Sequence, residues 1–350
     1  MRLWLIALCA CSSPQFQPWD LPTLSGDAGF SLRVPEFSVP PGRESQNCYF
    51  VRVPDIAQGR DLWIDRVELG INPGSHHVNV FRVKTIQGGL DPAAGTPTML
   101  GDYEATVIEG SDDYAHNPCW QSSNWADWPL VANSQHSDAE TPITNWQLPE
   151  NVAIRFTPGD MLMVQTHYVN TSDQPTPYNA RVGINFYNEH ESASLVEMGS
   201  LFATQQNIRI CRSNPQVTYA GTCRFPNAVT VAAANGHFHK RGDEFRIYSW
   251  DGASTSHPPD ASQFYLSTEW DHPPMKLDID LSLPTNSGIW WDCQYRWQPP
   301  SEFTCDDVDA KDPLHANDCC YTFGGNTDVG EHCNVFLYYY PRLTTDVFCL

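Results

Sequence analysis

At 350 residues the chain is longer than one typical core, and its 28 Pro, 22 Gly and 12 Trp suit short strands with turn-rich connections rather than a helical bundle. A formal net charge of −21 with no block of basic residues argues against nucleic acid, because phosphate binding needs clustered Lys and Arg. Beyond the N-terminus no stretch approaches the ~20 apolar residues that span a bilayer.

Residues 1–11 read as an export signal. Met1-Arg2 is a positive start, Leu3 to Ala10 is apolar, and Leu8-Cys9-Ala10-Cys11 followed by Ser12-Ser13-Pro14 looks like a bacterial lipoprotein signal. Cleavage before Cys11 would leave that cysteine to carry a lipid anchor, the only membrane contact expected; plain secretion is the alternative. Residues 12–28 form a tether. The remaining ten cysteines then read as a disulfide framework in an oxidising compartment, since no Cys-x-x-Cys pair suggests a thiolate metal site. Their pairing is not fixed by sequence.

Strand-like runs follow in order: Phe30–Val34, Cys48–Val53, Leu62–Ile71 and His76–Val83, separated by breakers such as Pro40-Pro41-Gly42 and Asn72-Pro73-Gly74. A stretch from Lys84 to Pro149 is read as irregular and too long for a simple connection. Strands resume at Val152–Phe156, Met161–Asn170 and Ala180–Tyr187. A second series begins near Val196, with Asn207–Cys211, Ala228–His239, Glu244–Trp250, Phe264–Trp270, Lys276–Leu283, Gly288–Trp297 and Cys333–Pro341. Lys276 to Leu281 alternates cleanly, as a strand with one buried face does. The pattern predicts an all-β chain of sandwiches, residues 29–190 in one domain and 191–350 in another.

Half of the twelve histidines lie in polar contexts: His116, His136, His190, His257, His272 and His315 read as surface residues. Six sit in or beside strands. His237 and His239 are two apart, so an extended chain turns both to one face. His76 and His77 are adjacent and in a regular strand would face opposite ways, so binding one ion needs a bulge just after Asn72-Pro73-Gly74 or the use of different ring nitrogens. His167 has Gln165 two residues before it, and His332 precedes Cys333-Asn334 and an aromatic strand. Imidazole is the commonest metal ligand and suits copper, zinc, iron and nickel. His-Glu-x-x-His, a nucleophile elbow and a phosphate loop are all missing, which disfavours a zinc protease or a serine hydrolase.

The ordered series His76-His77, Gln165-x-His167-Tyr168, His237-x-His239 and Cys333-Asn334 resembles the copper type II, ascorbate-dependent monooxygenases, from about residue 28 to 350. The resemblance implies two antiparallel jelly-roll β-sandwich domains packed side by side across a solvent-filled cleft, each with one copper ion. His76, His77 and His167 would hold the electron-transfer copper, with Gln165 beside it. His237 and His239 would hold the oxygen-binding copper, with His332 where the family has methionine and Asn334 matching the family asparagine. The implied activity hydroxylates a C–H bond of a small molecule with O2, using ascorbate or a similar electron donor; a non-catalytic copper-binding or electron-transfer envelope protein is the alternative. Asn235 and Phe336 stand where peptide-amidating members place an arginine and a tyrosine, so a peptide carboxylate lacks its clamp. The expected protein is exported and monomeric. By the same analogy Cys48 pairs with Cys119, Cys223 with Cys349 and Cys293 with Cys333, leaving Cys211 and Cys305 to take one each of Cys319 and Cys320.

Overall fold

The computed structural model describes residues 19–83, 128–135, 143–170, 178–188, 195–312, 317–345 and 347–350. The export signal with Cys11, the histidines His116, His136, His190 and His315, and the Cys48–Cys119 pair lie wholly or partly outside them. The chain is an all-β sandwich protein. Among the described residues no helix is long and apolar enough to cross a membrane.

In the first half, Met161–Asn170 is the spine of a four-stranded antiparallel sheet, flanked by Arg43–Arg52 and Ser75–Arg82, with Leu130–Ser134 at the edge. Its ten residues are buried apart from Val169, which explains why Met161–Val164 is apolar without a break rather than alternating. A second sheet is built on Leu62–Ile71, paired with Val182–Asn188, Ile143–Gln147 and Val152–Phe156. In the second half, Asn334–Tyr340 lies between Val229–His237 and Gly199–Thr204, while Gly288–Arg296 lies between Gln216–Arg224 and Gly242–Trp250. Strands up to Asn188 pair among themselves, as do those from Gly199 on; the short Val196–Glu197 strand joins the first half through Val152 and Ala153.

One apolar cluster runs across the seam. Phe202, Ala233, Phe336 and Tyr338 of the second half belong to the same buried set as Phe50, Val80 and Val164 of the first. Polar contacts follow it: Asn133 Nδ2 donates to Asn235 Oδ1 at 3.0 Å, and Tyr338 OH donates to Asn133 Oδ1 at 2.6 Å. Both polar atoms of Asn133 are satisfied in this way across the seam, which makes the pairing specific.

Four disulfides between described residues join Cys211–Cys320, Cys223–Cys349, Cys293–Cys333 and Cys305–Cys319, as the cysteine reading expects. Such a set fits an oxidising compartment. The expected strand over Lys276–Leu283 is corrected: only Leu281–Leu283 is regular. Lys276 makes an isolated bridge to Ala234, and Asp278 and Asp280 take positive φ values of 55° and 48°. The alternation is real, because Leu277 and Ile279 pack on the core, but the left-handed aspartates break the ladder. Phe264–Trp270 likewise shortens to Gln263–Ser267. Strands Leu130–Ser134 and Ile143–Gln147 fall in the stretch read as irregular, their polar Asn133, Ser134, Thr144 and Asn145 hiding the pattern. The sequence reading also misses a helix, Cys305–Lys311, started by a Thr304/Asp307 capping box.

Candidate metal centre

The six strand histidines converge on one buried cluster. His76, His77, His167, His237, His239 and His332 are 0–7% exposed. His76 lies between the two sets, its ring centroid 5.5 Å from His77, 5.1 Å from His167, 4.7 Å from His237 and 5.3 Å from His239. His332 sits 4.4 Å from His239 and 5.2 Å from His237. The resemblance implies solvent between the two sets; here ring packs on ring.

Local structure explains each position. The antiparallel register is broken between Ser75 and His77, so His76 is the extra residue of a bulge and can share the side that His77 and His167 face. His77 is directly opposite His167 on the neighbouring strand. His237 ends its strand, two residues before His239, which begins a tight turn closed by Gly242 N donating to His239 O at 2.9 Å. Gly236 and Gly242 leave room for aromatic rings. A Cβ at Gly236 would lie 2.3 Å from the Phe245 ring, and one at Gly242 would lie 1.9 Å from the Phe238 ring. Those rings stack at 6.0 Å and fix the backbone that carries both histidines.

Four of the rings are tied at one nitrogen. His77 Nε2 is 3.2 Å from Gln165 Oε1, an oxygen that also accepts from Asn79 Nδ2. His167 Nε2 is 2.9 Å from Glu44 Oε2, His237 Nδ1 is 2.7 Å from Gln135 Oε1, and His239 Nδ1 is 3.1 Å from the Gly330 carbonyl. Every one of these partners is an acceptor, so each ring carries its proton there and turns its other nitrogen, with a lone pair, inward. His77 Nδ1, His237 Nε2, His239 Nε2, His332 Nδ1 and both nitrogens of His76 have no hydrogen-bond partner although buried. Unpaired buried polar atoms are costly, and so many converging on one point signal a ligand.

Two overlapping groups hold three donor atoms within 4.8 Å of one another: His76, His77 and His167, and His76, His237 and His239. Burial, with mutual repulsion between rings, pushes the imidazolium forms of His76, His77, His237 and His239 well below their usual range, and burial lowers His332 to about 3. Neutral imidazole is the form that binds metal. The donor set is nitrogen only, which suits copper or zinc better than magnesium, calcium or manganese.

Sequence reasoning missed three supports. Glu44 is buried, and besides His167 it accepts from Thr327 N at 3.1 Å and from the Thr327 hydroxyl, joining the halves. Gln135 is buried against His237 from across the seam. Glu331 accepts from His239 N at 2.9 Å and Arg241 N at 2.8 Å, and burial raises its carboxyl to about 7. Glu44 is the second residue of Arg43–Arg52, ahead of the expected Cys48–Val53 run, and nothing local marked either it or Gln135. Of the other expected site residues, Gln165 touches His77, and Asn334 is buried opposite His237 in the strand register. Asn235 is spent on Asn133, and Phe336 packs against Phe202 at 5.3 Å. Trp270 lies 5.8 Å from His76, outside the shortened strand.

No protein-family model and no curated protein matches the sequence. Among solved structures, the chain is similar to the major capsid protein P2 of bacteriophage PM2, at 8% identity and a TM-score of 0.29, over 91% of this chain and 98% of that one. It is also similar to the PBSX exported protein XepA, at 7% identity and a TM-score of 0.23, over 91% of this chain and 89% of that one. Likenesses this loose carry no argument about function.

Proposed function

We propose that this chain is an exported copper monooxygenase of the type II, ascorbate-dependent kind, acting on a C–H bond of a small organic substrate. The observation that carries the metal reading is the set of buried, unpaired ring nitrogens facing one another from both halves of the chain. The chemistry rests on the order of the histidine motifs. His76, His77 and His167 would hold one copper, and His237, His239 and His332 the other. Bound copper would supply one-electron chemistry and oxygen activation, with ascorbate or a similar donor as the source of electrons.

The protein's own part is positioning. Gln165, Glu44, Gln135 and the Gly330 carbonyl select the tautomer of their histidines and hold the rings in place. Burial keeps the His76, His77, His237, His239 and His332 rings neutral. Asn235 and Phe336 offer no charge for a carboxylate, so a neutral substrate is favoured.

A second reading, a copper-binding or electron-transfer protein of the cell envelope, is favoured by the closure of the cluster: no histidine in it is more than 7% exposed, which leaves a substrate no open approach. Copper content by mass spectrometry tests both, with two ions per chain expected. Ascorbate-dependent O2 consumption coupled to a hydroxylated product, screened over neutral aromatic and aliphatic compounds, separates them. Two bound coppers without product across that screen would refute the monooxygenase reading.

A further inference from the structure

We propose that His76 bridges the two histidine sets, its imidazolate ring binding one copper ion through Nδ1 and a second through Nε2, so that the six histidines form a single dinuclear centre. The inference rests on the copper reading above and goes beyond it, because it replaces two separate sites by one.

Among the six histidines, His76 is the ring whose two nitrogens are both buried and without a hydrogen bond. In His77, His167, His237 and His239 one nitrogen is bound to a protein acceptor and only the other is available. A histidine that ligates one metal nearly always donates its other N–H to such a partner, which sets its tautomer. His76 has none: Nδ1 and Nε2 are both buried and unpaired. It is also the member common to both three-nitrogen groups, and it lies within ring contact of His77 and His167 and of His237 and His239. Its place in a strand bulge sets it out of the regular register.

Charge points the same way. Two cations held this close repel, and an anionic bridge offsets that repulsion. The neighbouring carboxylates are engaged elsewhere, Glu44 on His167 and Thr327, Glu331 on the His239 and Arg241 amides. The imidazolate supplies the negative charge instead. When the second ion binds, the remaining ring N–H proton leaves to the buffer and no electron is transferred. His332, beside His237 and His239, then completes the second ion's nitrogen set.

The test uses the full-length protein loaded with two equivalents of Cu(II), with total copper from mass spectrometry and spin count from electron paramagnetic resonance. An imidazolate bridge couples the two ions antiferromagnetically, so the expected spin count is a small fraction of the bound copper. Loading with one Cu(II) and one Zn(II) should restore a full single-copper signal. In His76→Gln, two bound coppers should give their full spin count. Two coppers in the native chain, each contributing a full spin, would overturn the bridge and leave the copper reading standing. Coupling that survives in His76→Gln with two coppers bound would overturn it as well. A chain that binds no copper would instead remove the reading on which the bridge rests. The native-chain measurement decides the question even if the variant fails to fold.

Discussion

Glu44→Gln removes one charge from the buried network while keeping its shape. Glu44 Oε2 holds His167 Nε2 at 2.9 Å, and Oε1 accepts from Thr327 N at 3.1 Å. A glutamine can still present its oxygen to Thr327, but its amide then faces His167 with a donor. His167 must move its proton to Nδ1, the atom that would bind metal, or leave the contact unmade. Replacing a charged hydrogen bond by a poor neutral one costs about 1–2 kcal/mol of folding stability, a fall of roughly 1–3 °C in melting temperature for a chain of this length. The larger effect is on metal. Loss of a partner that orients a ligating histidine costs about 10–100-fold in affinity. Competition titrations against a Cu(I) chelator should therefore show one ion weakened by that factor, and calorimetry should show the stability loss in the metal-free protein. Unchanged affinity for both ions would refute the claim that Glu44 sets the tautomer of a ligand.

Three further outcomes are expected. His332→Ala should lower the affinity for one ion and leave the other in place; unchanged copper content and spectroscopy would show that His332 is not a ligand. The metal-free protein should lose stability as pH falls below about 6.5, because the folded state holds His76, His77, His237, His239 and His332 neutral while the unfolded state protonates them. The unfolded chain binds more protons, so stability rises with pH across this range, by up to about 1.4 kcal/mol per group per unit. Denaturant titrations between pH 4 and 8 would measure this, and a flat profile would contradict the burial of neutral imidazoles. Gly236→Ala places a methyl against the Phe245 ring and should destabilise by about 1–3 kcal/mol, read by chemical denaturation, with the His237–His239 turn displaced and copper affinity reduced.

Much of the fold was legible in the sequence because strands leave a local record. Leu62–Ile71, Val152–Phe156 and Met161–Asn170 match the observed bounds, being apolar runs flanked by Gly, Pro or Asn. Lys276–Leu281 misled for the converse reason: side chains alternate in burial along an irregular segment as well as along a strand, and the positive φ of Asp278 and Asp280 has no signature in hydropathy. Leu130–Ser134 was invisible because two of its five side chains are polar and find partners outside the strand, Ser134 in Thr144 and Asn133 in Asn235, more than a hundred positions away.

The six histidines divide along the same line. Sequence alone determined that His237 and His239 share a face and that His76 and His77 need a bulge or different ring nitrogens to share an ion, since both follow from the geometry of an extended chain. It could not place one set against the other. That depended on the seam, where Glu44 meets Thr327, Gln135 meets His237, and the apolar cluster continues from Val80 and Val164 to Phe202 and Phe336. Contacts between distant segments are set by how whole sheets pack, and hydropathy over a short window carries no trace of them. Only the tertiary structure decided that two ligand sets become one buried cluster, with His76 between them and both its nitrogens free.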